Sequence, residues 1–211
     1  LDLGDVAGLE TVEFRRMAED VTVTNLQDLD TALKISDTAN ANSNVIVNFD
    51  AAQVSGTADT ASLTVDNVTI GADFTVNGVE TIAVTAVGLK NDIDIDGDKL
   101  ETVTVSGSGD ISMDVDASVT TFNASTATGD VTMVATAAAD VTATGGAGAD
   151  QFTMGTTLTK ADTLAGGAGT DTLSVTGAGG AVIPASAAVS GVENLEIVTG
   201  GADSLDASIV S

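Results

Sequence analysis

Residues 109–133, GDISMDVDASVTTFNASTATGDVTM, contain the clearest structural pattern of this chain. Within this stretch Asp110 and Asp130 each precede an alternation of apolar and polar residues, and they lie 20 residues apart. Such an alternation is typical of a β-strand with one buried face. Because the same unit returns at a fixed distance, the stretch indicates an internal structural repeat.

The repeat extends to both sides of this stretch. Acidic residues at steps of 18 to 21 form one column: Asp73, Asp92, Asp110, Asp130, Asp150 and Asp171. A second column lies about half a period away: Glu80, Glu101, Thr120, Asp140 and Asp162. Two short strands and two turns in about 19–21 residues describe one coil of a parallel solenoid. We therefore predict an all-β fold, a right-handed parallel β-helix or β-roll.

The alternation also predicts which side chains stack in the core. We expect two inward ladders: Phe74, Ile93, Ile111 and Val131 in one, and Val76, Ile95, Met113 and Met133 in the other. The alternative is an antiparallel sandwich of short strands, which also has a turn every 8–12 residues. A sandwich does not explain why six aspartates keep a nearly constant step, so the solenoid is the preferred interpretation.

The repeat differs in regularity along the chain. It is regular over 71–178, whereas residues 1–70 contain strand-like segments of uncertain register. Residues 179–190, around the single proline, are predicted to form an excursion loop, and 191–211 a further coil. We expect one continuous elongated unit, and we expect the chain to be a segment of a longer protein.

Two glycine-rich turns occur within the repeat, GGAGAD at 145–150 and GGAGTD at 166–171. With the residues that follow, both match the pattern G-G-x-G-x-D-x-U-x of calcium-binding β-helix repeats, where U is a large apolar residue. Glycines permit positive φ and leave carbonyl oxygens accessible. Ca²⁺ needs six to eight oxygen ligands, which stacked turns can supply together. The sequence therefore predicts calcium sites between these turns.

The candidate calcium ligands follow from this pattern. Asp150 and Asp171 are expected to share one side of the solenoid, whereas Asp162 ends a truncated copy of the motif on the opposite side. The complete set of candidates is Gly146, Gly148, Asp150, Asp162, Gly167, Gly169 and Asp171.

Weaker candidates lie outside the glycine turns. The stretch DIDIDGDKLE at 92–101 begins like an EF-hand loop, but position 12 would be Val103, where a bidentate glutamate is required. We therefore reject an EF-hand. Candidates for a weakly held surface ion are Asp92, Asp96 and Asp98, with Asp203 as a further weak candidate.

Residues 145–174 resemble the RTX (haemolysin-type) calcium-binding repeats of bacterial proteins exported by type I secretion. The wider chain, with VTTFNASTATGDVTM at 119–133 and GVENLEIVTGG at 191–201, is similar to the β-helical domains of bacterial surface-layer (S-layer) proteins. The resemblance implies secretion, folding in extracellular Ca²⁺ and self-association into a two-dimensional lattice at the cell surface. Any cell-surface polysaccharide would be bound through another domain. The alternative is the repeat region of an RTX adhesin, or the calcium-folding tail of a type I secreted enzyme.

Composition argues against other function classes. The chain has 31 acidic and 6 basic residues, a net charge of −25, which opposes binding to nucleic acid and to anionic lipid. It contains no Cys, His, Trp or Tyr, so common nucleophiles, bases and sugar-stacking side chains are missing. We predict a structural protein that is not an enzyme and does not insert into membranes. Arg15 and Arg16 are expected either to pair with Glu13 and Glu19 or to contact an anionic glycan or an adjoining subunit.

Overall fold

The computed structural model shows an all-β chain and describes residues 1–37, 43–68, 72–135, 140–177, 182–183, 187–199 and 204–205. In this part of the chain the strands form two sheets of nine strands each and one two-stranded sheet. Successive strands alternate between the two large sheets through most of the chain. The parallel β-solenoid predicted from the repeat is confirmed.

The two large sheets, sheet I and sheet II, are made of strands that stack coil upon coil. Sheet I contains, in spatial order, β1 (Thr11–Arg15), β3 (Ala32–Ser36), β5 (Thr60–Asp66), β7 (Thr81–Val87), β9 (Thr102–Gly107), β11 (Thr121–Ala127), β13 (Thr142–Thr144), β15 (Thr163–Ala165) and β18 (Ala188–Ser190). Sheet II contains, in spatial order, β2 (Val21–Leu26), β4 (Val45–Phe49), β6 (Ala72–Asn77), β8 (Lys90–Asp96), β10 (Asp110–Val115), β12 (Val131–Val134), β14 (Gln151–Gly155), β16 (Thr172–Gly177) and β19 (Asn194–Thr199). The remaining strands, β17 (Val182–Ile183) and β20 (Ser204–Leu205), pair with each other.

Every strand pairs in parallel with the strand one coil away, and the coil length varies along the chain. Thr81 pairs with Thr102, and Thr102 with Thr121, which gives steps of 21 and 19 residues. These steps agree with the predicted length. In the N-terminal part Leu33 pairs with Leu63, a step of 30 residues. The N-terminal strands therefore belong to the same two sheets, and the coil from β3 to β5 is longer, whereas Thr11 of β1 pairs with Ala32 of β3 at a step of 21 residues.

Half of the predicted excursion loop at 179–190 lies outside the described residues. Within it, β17 pairs with β20, and β18 joins sheet I beside β15. Thr163 pairs with Ala188, a step of 25 residues, so this coil is longer than the one before it. Strand β19 then adds to sheet II beside β16.

The space between the two sheets is filled by stacked apolar side chains. All five phenylalanines are buried: Phe14, Phe49, Phe74, Phe122 and Phe152. Burial of one such side chain contributes about 1.5–3 kcal/mol. Because one coil has too few of them to form a core by itself, the stability of the solenoid depends on the contact between neighbouring coils.

The predicted ladders have the right buried residues but the wrong pairing at β8. Phe74 pairs with Ile95 and not with Ile93, and Ile93 pairs with Met113. The predicted pairing between β10 and β12 is confirmed. Strand β8 is therefore displaced by two residues relative to the register that the apolar pattern predicts.

A buried asparagine explains this displacement. The side chain of Asn91 is fully buried, and its Nδ2 donates to the carbonyl oxygens of Val87 (2.9 Å) and Asp110 (3.1 Å). Its Oδ1 accepts the N–H of Val68 (3.2 Å). A polar residue thus occupies the first inward position of β8. A shift of two residues keeps every side chain on its own face, so the apolar pattern does not distinguish the two registers.

Surface ion pairs connect neighbouring coils. Arg15 pairs with Asp37 (3.1 Å), and Lys34 lies between Glu13 (3.6 Å) and Asp66 (3.2 Å). The sequence predicts partners for Arg15 within its own coil, whereas parallel stacking supplies one from the next coil. Exposed pairs of this kind contribute at most about 1 kcal/mol each, so they adjust the stability of the stack but do not determine the fold.

Candidate metal centre

Three turns stack on one side of the solenoid. Turn A (residues 145–150) connects β13 to β14, turn B (166–171) connects β15 to β16, and turn C (191–193) connects β18 to β19. The N–H of Gly145 donates to the carbonyl oxygen of Ala165 (2.8 Å), and the N–H of Gly166 to that of Ser190 (2.9 Å). Turns A and B thus lie on the same side and in register, as their spacing predicts, and turn C follows them.

The glycines of turns A and B allow their backbones to stack closely. A methyl group on Gly167 would collide with the carbonyl oxygen of Gly146, and one on Gly169 with that of Gly148. In turn B, φ is +105° at Gly167 and +129° at Gly169, values that favour glycine. The carbonyl oxygens of these turns therefore lie against backbone rather than against side chains.

Asp150 closes turn A from inside the corner of the coil. Its side chain is buried; Oδ1 accepts the N–H of Val131 (2.8 Å) and Oδ2 that of Gly146 (2.5 Å). The pKa of Asp150 lies above its usual value. Burial is the main cause, the two N–H donors lower the pKa, and the charge of Asp171 raises it. The carboxylate of turn A is thus held by two backbone donors.

Asp171 occupies the same position in turn B but has a different environment. Its Oδ1 accepts the N–H of Asp150 (2.8 Å). Its Oδ2 is buried and has no hydrogen-bond partner within the described part of the chain. Burial raises the pKa of Asp171, the N–H of Asp150 lowers it, and the charge of Glu193 raises it. One carboxylate oxygen is therefore left for a ligand from outside the chain.

Carbonyl and carboxylate oxygens converge beside the first glycine of each turn. A methyl group on Gly145 would collide with the carbonyl oxygen of Gly166 and come within 2.5 Å of Oδ2 of Asp150. A methyl group on Gly166 would collide with the carbonyl oxygen of Gly191 and with Oδ2 of Asp171. A carbonyl and a carboxylate oxygen side by side are the ligand types that Ca²⁺ prefers. The residues of turns A and B therefore fit this cation.

Asp162 lies on the opposite side of the solenoid, as predicted, but in a closed arrangement. It is buried, and its Oδ1 accepts the N–H of Val141 (2.7 Å) while Oδ2 accepts that of Thr159 (2.6 Å). The hydroxyl of Thr159 in turn contacts Asp140 (3.0 Å). Both carboxylate oxygens of Asp162 therefore have backbone partners, one in its own turn and one in the preceding coil, as those of Asp150 do.

The predicted aspartate column is broken at β8, where Asp73 pairs with Asp94 and Asp92 with Ser112, and it changes register again at turn A. Asp110 and Asp130 are in register, but Asp150 aligns with Val131, one residue after Asp130. This shift turns the carboxylate of Asp150 into the corner, where it is buried, whereas Asp130 is exposed. The sequence contains a signal of the shift, because Phe152 follows Asp150 at the second position and not the first.

The weaker candidates are not brought together around one point. Asp92 and Asp96 lie on the outer face of β8, four residues apart, which corresponds to about 13 Å. Asp98 lies in the following turn, where its Oδ1 accepts the N–H of Gly78 (2.6 Å). Because β8 is an extended strand, these residues do not form an EF-hand loop. This agrees with the sequence, which lacks the glutamate required at position 12.

Carboxylates alone do not form a metal site in the described residues. Asp203, the remaining weak candidate, lies outside them. Within the described ranges there is no group of three or more His, Cys, Asp or Glu side chains that could hold a metal ion. A cation between the stacked turns would therefore take most of its ligands from backbone carbonyl oxygens.

A row of outward-facing aspartates on sheet II, partly buried at Asp73 and Asp94, was missed by the sequence analysis. Asp94 pairs with Asp73 of β6 on one side and with Asp114 of β10 on the other. We call Asp73, Asp94 and Asp114 the acidic row. Burial, and next the charge of Asp114, raise the pKa of Asp94 to about 6. The alternation in β8 places Asp94 on the outer face, but its neighbours depend on the two-residue displacement of that strand.

Comparison with known protein families, with curated proteins and with solved structures finds no match to this chain. The described residues include no helix long and apolar enough to cross a membrane. The geometry of turns A and B therefore carries the functional assignment.

Proposed function

We propose that this chain is a calcium-binding structural segment of a secreted bacterial S-layer protein, which folds and assembles into a cell-surface lattice in Ca²⁺. The observation that carries the proposal is the buried Oδ2 of Asp171, which lacks a partner in the described residues and lies beside a carbonyl oxygen. An unpaired buried polar atom is costly, and a divalent cation is the ligand that suits both oxygens.

Calcium would stabilise this side of the solenoid through charge. Asp150 and Asp171 lie one coil apart, at a strand spacing of about 4.8 Å, where two unit charges repel by about 0.9 kcal/mol in water. At an effective dielectric constant of 20 the repulsion is about four times larger. Whole domains are stable by about 5–15 kcal/mol. Neutralising a few such contacts therefore has a large effect on folding.

The lattice role is supported by the shape of the strand stack and by its charge. Two parallel sheets of nine strands each in the described residues present long outer faces. At a net charge of −25, copies of the chain repel one another in the absence of a counter-ion. Calcium held between carboxylates of neighbouring copies would turn this repulsion into attraction. Catalysis receives no support from a chain without Cys, His or Tyr.

Calcium-dependent folding tests the binding part of the proposal. We expect circular dichroism in EDTA to show loss of the β signal, and addition of Ca²⁺ at about 10⁻⁴–10⁻³ M to restore it. Magnesium at the same concentration is the control, because Mg²⁺ prefers a rigid octahedral site with several waters. An unchanged spectrum and melting temperature in EDTA would contradict calcium-coupled folding.

Electron microscopy tests the lattice. The parent protein is expected to form ordered two-dimensional arrays in Ca²⁺ that dissolve in chelator. A protein that binds calcium but stays monomeric in Ca²⁺ favours the adhesin or enzyme-tail alternative instead.

A further inference from the structure

Turn C continues the stack of turns A and B although it lacks their motif. Ser190 pairs with Ala165 where turn C begins, and Asn194 pairs with Thr172 where it ends. Gly191 therefore occupies the place of the first glycine of the motif. Turn C has three residues between its strands, against six in turn B, and it omits the two later glycines.

Glu193 takes the place of the closing aspartate. The N–H of Asp150 donates to the carboxylate of Asp171 (2.8 Å), and the N–H of Asp171 donates to Oε2 of Glu193 (2.9 Å). The backbone continues the same pattern, because the N–H groups of Glu193 and Asn194 both donate to the carbonyl oxygen of Asp171. The carboxylate ladder of this side thus has three members: Asp150, Asp171 and Glu193.

Among the described residues, the buried carboxylate oxygen that lacks a hydrogen-bond partner, Oδ2 of Asp171, lies at the junction of turns B and C. Oδ2 of Asp171 and the carbonyl oxygen of Gly191 both crowd the position that a methyl group on Gly166 would occupy. In turn A the corresponding oxygen of Asp150 accepts the N–H of Gly146, so that position has an internal partner. Within the described residues the equivalent partner of Asp171 is absent. The space between turns B and C is therefore the part of the stacked turns where a cation would satisfy an otherwise unpaired carboxylate oxygen.

We propose that a Ca²⁺ ion binds between turns B and C, with Oδ2 of Asp171, the carboxylate of Glu193 and the carbonyl oxygen of Gly191 as ligands. This site rests on the proposed function, since it assumes that the solenoid binds calcium, and it adds a site that the glycine motif does not encode. Two carboxylates and a carbonyl oxygen are the ligand types that Ca²⁺ prefers, and water molecules would complete its six to eight ligands.

Calorimetric titration of the 211-residue chain with CaCl₂ tests this site. The variant Glu193→Gln keeps the shape of the side chain and is expected to weaken one calcium equivalent by about tenfold or more, because ligand charge sets the affinity. Glu196→Gln is the matched control: it removes the same charge from the exposed part of β19, three residues further on. The control is expected to bind like the unaltered chain.

The outcomes separate this inference from the proposed function. If the unaltered chain binds no calcium, the proposed function fails, and this site fails with it. If it binds calcium and Glu193→Gln binds equally well, only the site between turns B and C is overturned.

Carbon-13 NMR of the carboxyl groups covers the case in which Glu193→Gln does not fold. In the unaltered chain the carboxyl signals of Asp171 and Glu193 are expected to shift together as calcium is added. A shift of Asp171 with Glu193 unchanged would overturn the assignment of Glu193 as a ligand.

Discussion

The aspartates of the stacked turns and those of the acidic row have the same chemistry and the same spacing of one coil, yet opposite surroundings. Asp150 and Asp171 are buried and accept backbone N–H groups. Asp94 lies on the outer face of sheet II, between two other aspartates. A stacked carboxylate therefore closes a turn when it points into the corner, and it only adds repulsion when it points outward.

A column of stacked aspartates indicates parallel coils, and a metal site requires a further feature. Stacking at strand spacing is common to both groups, so it is not evidence for a metal ion by itself. The turns differ from the acidic row because glycine brings backbone carbonyl oxygens next to the carboxylate. A calcium site needs those oxygens, since carboxylates alone do not complete six to eight ligands here.

Replacing Asp150 by alanine is expected to have the largest effect. The N–H groups of Gly146 and Val131 lose their acceptor, and each buried unpaired N–H costs about 1–3 kcal/mol. We expect the free energy of unfolding to fall by about 3 kcal/mol, measured by urea unfolding in excess calcium. Asp94→Ala is the matched control and is expected to leave stability unchanged or to raise it. Equal losses in both variants would remove the distinction between the two groups.

Replacing Gly169 by alanine is expected to have the next largest effect. The methyl group would collide with the carbonyl oxygen of Gly148, at a φ of +129° that favours glycine. Strain and overpacking together are expected to cost about 2 kcal/mol, measured by thermal unfolding. In the control Gly56→Ala, the nearest atom is the side-chain Oδ1 of Asp59 at 3.0 Å, which can move. If both variants melt alike, the close backbone stacking of turns A and B is not needed for stability.

The pH dependence of Asp94 is expected to be the smallest effect. Its pKa is near 3.8 in the unfolded chain and about 6 in the folded chain, so the folded state holds the proton more tightly. The contribution of Asp94 to stability is therefore greatest below pH 4 and is lost as the pH rises through 6. Burial comes first among the causes, followed by the charge of Asp114, and by Asp73 and Asp92.

The measurement is the melting temperature of the unaltered chain and of Asp94→Asn in excess calcium, at about pH 4.5 and pH 6.5. After allowance for solvent screening the effect is about 1 kcal/mol, or about 2–4 °C for a chain of this size. The unaltered chain is expected to lose this much more stability than Asp94→Asn over that range. A difference of the opposite sign would show that the acidic row does not repel.

The position of the turns could be predicted from the sequence because it depends on local spacing. Turns A and B share the motif and lie one coil apart, so Asp150 and Asp171 stack in any parallel solenoid with this coil length. Turn C could not be found in this way. It has half as many residues, and Glu193 enters the ladder only because Asn194 pairs with Thr172.

Three features could be predicted from the amino-acid sequence: the all-β solenoid, the coil length in the middle of the chain and the side on which each glycine turn lies. These features follow from periods that are read along one chain. Three others are visible only in the folded chain: the register of β8, the inward orientation of Asp150 and the unpaired oxygen of Asp171. Each of these depends on groups in a neighbouring coil, which periods along the chain do not reveal. The groups are the backbone of Val68 and Asp110 at Asn91, the N–H of Val131 at Asp150, and the carbonyl oxygen of Gly191 at Asp171.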